Sequence, residues 1–427
     1  MKRKCKKVNL RDWNNLVPAI EDVISRHVKR YDFKNLLIKF GMSNEDYHLF
    51  SYTKDKDLID PIIEKIAKEC VSRIEQRDLH LWKVEIRIKI DKSTGKIRQI
   101  GKESAMQQIF DYIAFYSAKE IFDCRILPEQ ASSIKGRGQI YGMKMIKGWI
   151  DKDDDAARYA RKHNARYIRK CRYHVKTDIE KCYPSADIEA FLKFFRRDCG
   201  NEDVLWLWES LLRSHQVEGY TGFMIGSLVS QWAVQYMLSF AYRYVKDLHY
   251  ERRGKRYKCV EHMLIFMDDM LLIGSNRKRL KSAVRGLQSY LWDELGFTIK
   301  SNWQIHDIND DPIDMMGYVV YAGGHVEIRG RDFIRARRMA LRYKSQGGFL
   351  TMRQCQRILS YKGYFLYSNS INVSKKYCLK KIFKYAAKKI SVEEKRKNAK
   401  RKGKQFYQTG NGNKFSERRM PYGEEHC

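Results

Sequence analysis

Apolar and charged residues alternate most regularly at residues 82–90, which read Trp-Lys-Val-Glu-Ile-Arg-Ile-Lys-Ile. Period-two alternation is typical of a β-strand with two unlike faces. A turn at Gly95 and a second apolar stretch, residues 97–100, follow it, so this region predicts a β-hairpin. Before it, residues 1–75 have apolar positions at helical spacing and predict helices. After it, residues 104–122 predict one helix of about five turns.

The centre of the chain mixes the two patterns. A short apolar-leaning strand ends at Asp178, after which the chain turns away through Pro184. A segment rich in glycine and serine, residues 222–231, opens into an apolar helix at residues 232–245. Next come a hairpin at residues 262–274, a helix at 276–295, and a strand pair at 314–321 and 325–328. Helices and an antiparallel sheet in this arrangement predict an α+β fold.

Charge is concentrated towards the C-terminus. The net charge is +33, and residues 331–404 hold 23 Lys and Arg against 3 Asp and Glu, an excess of 20. Such a charge favours a polyanionic partner, with nucleic acid ahead of a membrane surface. The pattern predicts basic helices from residue 331 to about 390 and a mobile cationic tail from 391 to 427.

Membrane and metal-module signals are missing from the sequence. No stretch approaches the roughly 20 apolar residues that span a bilayer, and the basic start lacks the apolar segment of a signal peptide. The ten cysteines form no Cys-x-x-Cys pair and no zinc-module spacing. We therefore expect a soluble, cytoplasmic protein with reduced cysteines and no membrane partner.

Asp268 and Asp269 lie between two apolar stretches, and residues 262–274 contain no countercharge. Burying one unpaired carboxylate is unfavourable, and burying two is more so. The pair could cap a hairpin turn, or it could bind divalent cations. Asp178 favours the cations, because a carboxylate at a strand end meets a pair in a hairpin when the two strands are neighbours. Three such oxygen donors suit a site for two Mg²⁺ ions.

Lys135 and Arg137 lie in a basic, glycine-rich turn at residues 134–142. Turns of this composition allow the backbone to approach phosphates closely. The two residues are therefore candidate nucleic-acid contacts, and an ordinary surface loop is the alternative interpretation.

The order and spacing of these segments resemble the palm of reverse transcriptases. Gly222 follows Asp178 by 44 residues, and Asp268 follows Gly222 by 46. The resemblance covers roughly residues 82–385 and implies a right-hand polymerase, in which the palm sheet carries the carboxylates. The domains it implies are an N-terminal helical extension (1–75), fingers (76–172), palm with finger insertions (173–330), basic helical thumb (331–390) and flexible cationic tail (391–427).

Among reverse transcriptases, the chain is most similar to the bacterial enzymes of diversity-generating retroelements, abortive-infection systems and antiphage defence. Ile225 and Gly226 begin the motif Ile-Gly-x-x-x-Ser-Gln, where many retroviral and group II intron enzymes have Gln-Gly-x-x-x-Ser-Pro. The chain departs from the family pattern at Phe266, in place of the usual tyrosine before x-Asp-Asp, and at Met224, in place of a loop proline. Neither departure removes a metal ligand, so we expect an active enzyme.

The resemblance also implies roles for individual residues. Asp178, Asp268 and Asp269 would be catalytic and, with the Ile179 carbonyl, would bind the two Mg²⁺ ions. Tyr183 would exclude a ribose 2′-hydroxyl, although a plain core tyrosine is the alternative. The nucleotide-binding residues would be Arg98, Lys102, Tyr183, Gly226, Gln231 and Lys300, of which Lys102 and Lys300 could instead be surface charges. Lys362 and Tyr364 of the thumb would join Lys135 and Arg137 in contacting nucleic acid.

The resemblance implies an RNA-directed DNA polymerase, and the bacterial group within it leads us to expect an enzyme that copies a dedicated non-coding RNA in antiphage defence. Its partners would be the RNA template, a DNA or RNA primer, and deoxynucleoside triphosphates. Three alternatives stay open: error-prone synthesis in a diversity-generating retroelement, template-independent DNA synthesis, and a non-catalytic RNA-binding effector. A two-metal nuclease is disfavoured, because the glycine loop and the basic thumb would have no role in it.

Overall fold

The computed structural model describes residues 2–82, 84–90, 95, 97–217, 220 and 222–408, with side chains up to residue 396. The chain forms two compact units. The first contains the residues up to 316 together with 321–324, and the second contains residues 317–320 and the chain from 325 onward. None of the described helices has the length and apolar composition needed to cross a bilayer.

The N-terminal part of the first unit is helical, as the spacing predicted. Asp12 caps the first helix by accepting a hydrogen bond from the Asn14 N–H, and the apolar positions Leu16, Ile20 and Val23 are fully buried. The helices are α1 (Trp13–His27), α2 (Tyr31–Lys39), α3 (Asn44–Thr53) and α4 (Lys56–Glu75).

The predicted hairpin is present and is followed by helices that differ from the prediction. The expected helix at 104–122 breaks at Ala118, where the Ser117 hydroxyl donates to the Ala114 carbonyl and competes with the helical backbone. A helix that was not predicted begins at Gln139, so the glycine-rich turn ends at Gly138. The elements are β1 (Glu85–Ile90), β2 (Ile97–Lys102), α5 (Ala105–Ser117), α6 (Lys119–Arg125), β3 (Gln130–Ala131) and α7 (Gln139–Lys162).

The rest of the first unit contains the predicted sheet. The helix expected from Trp232 starts four residues earlier, because the Ser227 side chain caps it by accepting from the Ser230 N–H. The elements are β4 (Tyr173–Asp178), α8 (Cys182–Ser185), α9 (Ile188–Asp198), α10 (Glu202–Arg213), α11 (Leu228–Asp247), β5 (His249–Arg252), β6 (Lys255–Lys258), β7 (His262–Phe266), β8 (Asp269–Gly274), α12 (Arg277–Leu295), β9 (Ile305–Asp307) and β10 (Ile313–Met315).

Five strands form the central sheet in the order β3-β7-β8-β4-β9. β3 pairs parallel to β7, and the other neighbours are antiparallel. Successive residues of β8, from Met270 to Ile273, are all buried, so both faces of this strand are covered. Because both faces of β8 are covered by protein, polar side chains that could contact a ligand are confined to the ends of this strand.

The second unit is a hairpin followed by basic helices. Its small core includes Leu350, Ile358 and Leu379. The last helix passes the predicted end at residue 390 and continues to Gln408. Residues 409–427 of the expected tail lie outside the described residues. The elements are β11 (Tyr318–Val320), β12 (Val326–Ile328), α13 (Gly330–Ser345), α14 (Met352–Ser360), α15 (Lys362–Leu366), α16 (Ile371–Lys376) and α17 (Leu379–Gln408).

Candidate active site

The three aspartates converge at one end of the central sheet. Asp178 is the last residue of β4, Asp269 is the first of β8, and the antiparallel register places the two directly opposite each other. Asp268 lies in the turn before β8, and its carbonyl accepts a hydrogen bond of 3.1 Å from the Ile179 N–H. The expectation that the Asp178 strand and the hairpin are neighbours is confirmed. The Asp268–Asp269 pair therefore lies at a hairpin turn, and Asp269 faces the third aspartate, Asp178, across the sheet.

The turn that carries Asp268 has an unusual backbone. Phe266 pairs with Asp269, which leaves Met267 and Asp268 as a two-residue turn. Met267 has φ of +60°, in the left-handed region that residues with side chains seldom adopt. Strain of this kind costs about 1–3 kcal/mol and persists only where the surroundings fix the backbone, often at functional sites. Here the Ser133 hydroxyl donates to the Met267 Sδ at 3.2 Å.

Lys300 neutralises part of the negative charge. Its backbone N–H donates to the Asp178 carbonyl at 3.1 Å, and its Nζ forms an ion pair with the Asp178 carboxylate. The hydrogen bond to Asp178, with the charges of Asp178, Asp268 and Asp269, raises the pKa of Lys300. The ammonium is therefore a resident counterion of the carboxylate cluster.

The donor set of the cluster fits Mg²⁺, since this ion prefers carboxylate and carbonyl oxygens. Within the described part of the chain, no three His, Cys, Asp or Glu side chains are grouped closely enough to hold an ion. The Asp178 carboxylate is turned towards Lys300 instead. The Asp178 carboxylate is therefore already engaged by a cation of the protein itself. A polar pocket of about 300 Å³ lies beside the cluster and is lined by Asp178, Asp269, Gln304 and His306 among others.

Tyr183 lies close to the aspartates. It belongs to the short helix α8, and its carbonyl accepts a hydrogen bond of 2.8 Å from the Phe223 N–H. A Cβ at Gly222 would lie 2.2 Å from the Pro184 carbonyl oxygen, so only glycine permits this close approach of loop to helix. Burial raises the pKa of the half-buried Tyr183, with Cys182 and Asp268 adding to the effect. The structure thus brings Tyr183, the Gly222 loop and Asp268 together.

Gly226 is required where its loop packs closely against the β1–β2 hairpin. Its φ is +111°, and a Cβ there would lie 3.2 Å from the Gly101 carbonyl oxygen. The Gly101 N–H also donates to the Ile225 carbonyl at 3.0 Å. The observed close approach is therefore between this loop and strand β2 of the hairpin.

Arg98 and Lys102 project from the same face of β2 as Ile100, since residues two apart share a face. The Ile100 side chain lies 3.3 Å from the Cβ position of Gly226, so this face adjoins the loop. Both cations are exposed, and the Lys102 Nζ lies 3.9 Å from Glu85. Gln231 is half-buried in the first turn of α11.

A buried polar cluster behind the loop was missed by the sequence analysis. His215 Nε2 lies 2.9 Å from a Glu103 carboxylate oxygen, and His215 Nδ1 lies 3.3 Å from the Ser230 hydroxyl. The Ser230 hydroxyl also accepts from the Met224 N–H at 3.1 Å. All three side chains in this chain of contacts are buried. The cluster therefore fixes the backbone two residues before Gly226.

Asp111 supports the same loop from α5. Its Oδ2 accepts hydrogen bonds from the Ser227 hydroxyl and from the Leu228 and Val229 N–H groups at the start of α11. Complete burial raises its pKa well above the usual value, and nearby Glu103 raises it further. The sequence did carry a signal, because Asp111 falls among the apolar positions of its helix, where a carboxylate needs partners.

Two of the four residues that were predicted to contact nucleic acid make contacts within the protein instead. Lys135 is exposed, whereas the Arg137 guanidinium donates to the Leu127 carbonyl at 2.7 Å and so helps to hold the turn. Lys362 and Tyr364 belong to the second unit. Lys362 is exposed there, and the Tyr364 ring packs 5.1 Å from the Tyr318 ring.

Comparisons with known proteins give no family. No protein-family model matches the chain, and no curated protein matches it. Similar solved structures include apo telomerase from Candida tropicalis, at 10% identity and a TM-score of 0.45, covering 73% of this chain and 57% of the telomerase chain. A form truncated from the C-terminal domain gives 13% identity and a TM-score of 0.39, covering 57% and 54%. This chain thus spans little more than half the length of either, and the function proposed below rests on its own residues.

Proposed function

We propose that this protein is an RNA-directed DNA polymerase. The observation that carries the proposal is the direct pairing of Asp178 with Asp269 beside Asp268, at a strained turn next to Tyr183 and the Gly222 loop. In this proposal the hairpin β1–β2 belongs to the fingers, the five-stranded sheet to the palm, and the basic helices of the second unit to the thumb. The high net positive charge matches a nucleic-acid substrate.

The chemistry follows from the groups at the sheet end. Asp178, Asp268 and Asp269 would hold two Mg²⁺ ions, which when bound activate the primer 3′-oxygen and neutralise the leaving pyrophosphate. Arg98 and Lys102, on the β2 face beside Gly226, would hold the triphosphate by charge-assisted hydrogen bonds. Lys300, released from Asp178, would donate a proton to the pyrophosphate.

Primer extension tests the proposal directly. Purified protein with Mg²⁺, all four deoxynucleoside triphosphates and a primed RNA should give DNA of template-defined length and sequence. Extension that ignores the template would instead indicate template-independent synthesis. No extension under any condition, with Mg²⁺ or Mn²⁺, would leave the RNA-binding effector as the better interpretation.

Tyr183 sets sugar selectivity in this proposal. Replacing Tyr183 with Ala should raise incorporation of ribonucleotides relative to deoxynucleotides about tenfold or more, a difference of roughly 1.4 kcal/mol, because the ring no longer blocks the 2′-hydroxyl. The ratio of kcat/KM for the two nucleotide types measures this change. Tyr183→Phe keeps the ring and serves as the matched control. Equal selectivity in the Ala and Phe variants would contradict the role.

Lys300 should compete with Mg²⁺ for Asp178. Replacing Lys300 with Gln should tighten Mg²⁺ binding about two- to fivefold, since the competing ion pair is partly exposed and so only modestly stabilising. Calorimetric titration of the nucleic-acid-free protein measures this affinity. Lys300→Arg, which keeps the competing charge, should leave it nearly unchanged. Weaker Mg²⁺ binding in the Gln variant would show that Lys300 supports the ion site rather than competing with it.

We further propose that the enzyme copies a dedicated non-coding RNA in antiphage defence, with a diversity-generating retroelement as the second candidate. The motif from Ile225 to Gln231 is shared by both groups, and Ile225 lacks the hydrogen-bonding amide of glutamine. Sequencing the nucleic acid that copurifies with the protein distinguishes the two. One RNA copied faithfully supports defence, whereas products with many substitutions support diversification.

A further inference from the structure

A second polar groove in the first unit has a composition that the carboxylate site does not explain. It has a volume of about 630 Å³ and lies between helix α12 and the segment that leads into β9. Arg277, Lys281 and Arg285 line one side, and Trp303 and Gln304 line the other. The groove is therefore cationic along one wall and carries an aromatic ring on the other.

The cations form a stripe along α12. Arg277, Lys281 and Arg285 are exposed and follow one another at intervals of four residues, so they share one face and repeat about every 6 Å along the helix axis. Among the described residues, none of the three has an ion pair or a side-chain hydrogen bond. The stripe is about 12 Å long.

On two other helices of this unit, a basic residue forms an ion pair with an acidic residue four positions away. Lys147 pairs with Asp151 and Arg213 with Glu209, each four residues apart. On α12 like charges follow one another instead, which is unfavourable for an isolated helix. The first turn of α12 contains no acid and begins with Arg277, although a helix N-terminus favours negative charge. Both features would be relieved by a bound polyanion.

The wall of the groove opposite α12 carries an aromatic ring, which is a surface suited to stacking of a nucleobase. Trp303 is partly buried, packing against the main core while also lining the groove. Within the described residues no aromatic ring stacks on it. Bases stack on exposed aromatic faces in proteins that bind single strands, and cations along the same groove follow the backbone.

We propose that the groove between α12 and Trp303 binds a single strand of nucleic acid, with three successive phosphates on Arg277, Lys281 and Arg285. A stripe of three evenly spaced cations is longer than one triphosphate and is comparable with the spacing of phosphates on an extended strand. Gln304 and His306 line both this groove and the pocket beside Asp178 and Asp269, so the two are adjacent. The site is separate from the polymerase activity proposed above and does not depend on it.

Binding of short oligonucleotides to the full-length protein tests the site. Fluorescence anisotropy with a 12-nucleotide RNA, and with DNA of the same sequence, is measured without Mg²⁺ or nucleotides, so the result is independent of polymerisation. Arg277→Gln, Lys281→Gln and Arg285→Gln are combined in one variant, because glutamine keeps a helix-compatible side chain. We expect Kd to rise tenfold or more, and the slope of log Kd against log salt to fall by about 2.

A charge-matched variant separates a site from general attraction. Lys29→Gln, Lys39→Gln and Lys65→Gln remove three exposed cations from the N-terminal helical region, residues 13–75, and should change Kd less than twofold. Trp303→Leu should weaken binding about fivefold or more while keeping apolar packing, and a 4-thiouridine strand should cross-link to the peptide that contains Trp303. Thermal melting confirms that each variant is folded.

Three results would overturn the proposal. Equal weakening by the two triple variants would mean that only net charge matters. Unchanged strand binding combined with weaker binding of a fluorescent deoxynucleoside triphosphate would identify a free-nucleotide site. Cross-links confined to other segments would place the strand elsewhere. If none of these results is obtained, the Kd values for the RNA and for the DNA of the same sequence show which nucleic acid the groove binds more tightly.

Discussion

Replacing Asp268 with Asn should lower the rate of DNA synthesis about 1000-fold or more. The substitution removes one charge from the cluster of three carboxylates, and losing several kcal/mol of metal-dependent transition-state stabilisation corresponds to this factor. The fold should persist, because the Asp268 contact with Ile179 uses the backbone carbonyl, which asparagine retains. Single-nucleotide extension of a primed RNA, together with thermal melting, measures both effects.

Asp293→Asn is the matched control for that substitution. Asp293 is exposed on α12, so the same loss of one charge should leave the rate within about twofold. Asp178→Asn should reproduce the loss seen for Asp268. An Asp268→Asn enzyme with a tenth or more of the original rate would mean that the carboxylate pair only shapes the hairpin, and the proposed function would then lose its main support.

Replacing His215 with Leu should lower the free energy of unfolding by about 3 kcal/mol, because it leaves the buried Glu103 carboxylate without its partner. The Ser230 hydroxyl loses a contact as well, so the backbone at Met224 should become less fixed. Urea unfolding measures the stability, and hydrogen exchange of the Met224 amide measures the local effect.

A double substitution identifies the cause of that loss. Adding Glu103→Met to His215→Leu should recover part of the stability, since a buried pair replaced by apolar residues of similar volume is often tolerated. His163→Leu, at an exposed position, should have little effect. If the double variant is less stable than His215→Leu alone, then the loss of the His215 partner by Glu103 is not the source of the destabilisation.

Local sequence patterns predicted most elements of the first unit and the neighbourhood of its carboxylates. The alternation at residues 82–90 and the apolar stretches around Asp268 and Asp269 determine strands locally, and the observed strands agree. Boundaries were less well predicted. The break at Ala118 depends on the Ser117 hydroxyl, and the early start of α11 depends on the Ser227 cap, both of which are contacts of single side chains.

Strand periodicity and charge are local properties, so the amino-acid sequence already indicated three carboxylates at or next to strand ends and a strongly basic chain. The folded structure was needed to show that Asp178 faces Asp269, that Lys300 neutralises Asp178, and that Gly226 packs against Gly101. It also revealed the buried contacts among Glu103, His215 and Ser230. Apart from the contact between His215 and Ser230, these contacts join residues more than 100 positions apart or depend on strand register. No local pattern specifies which distant side chains will share a buried space.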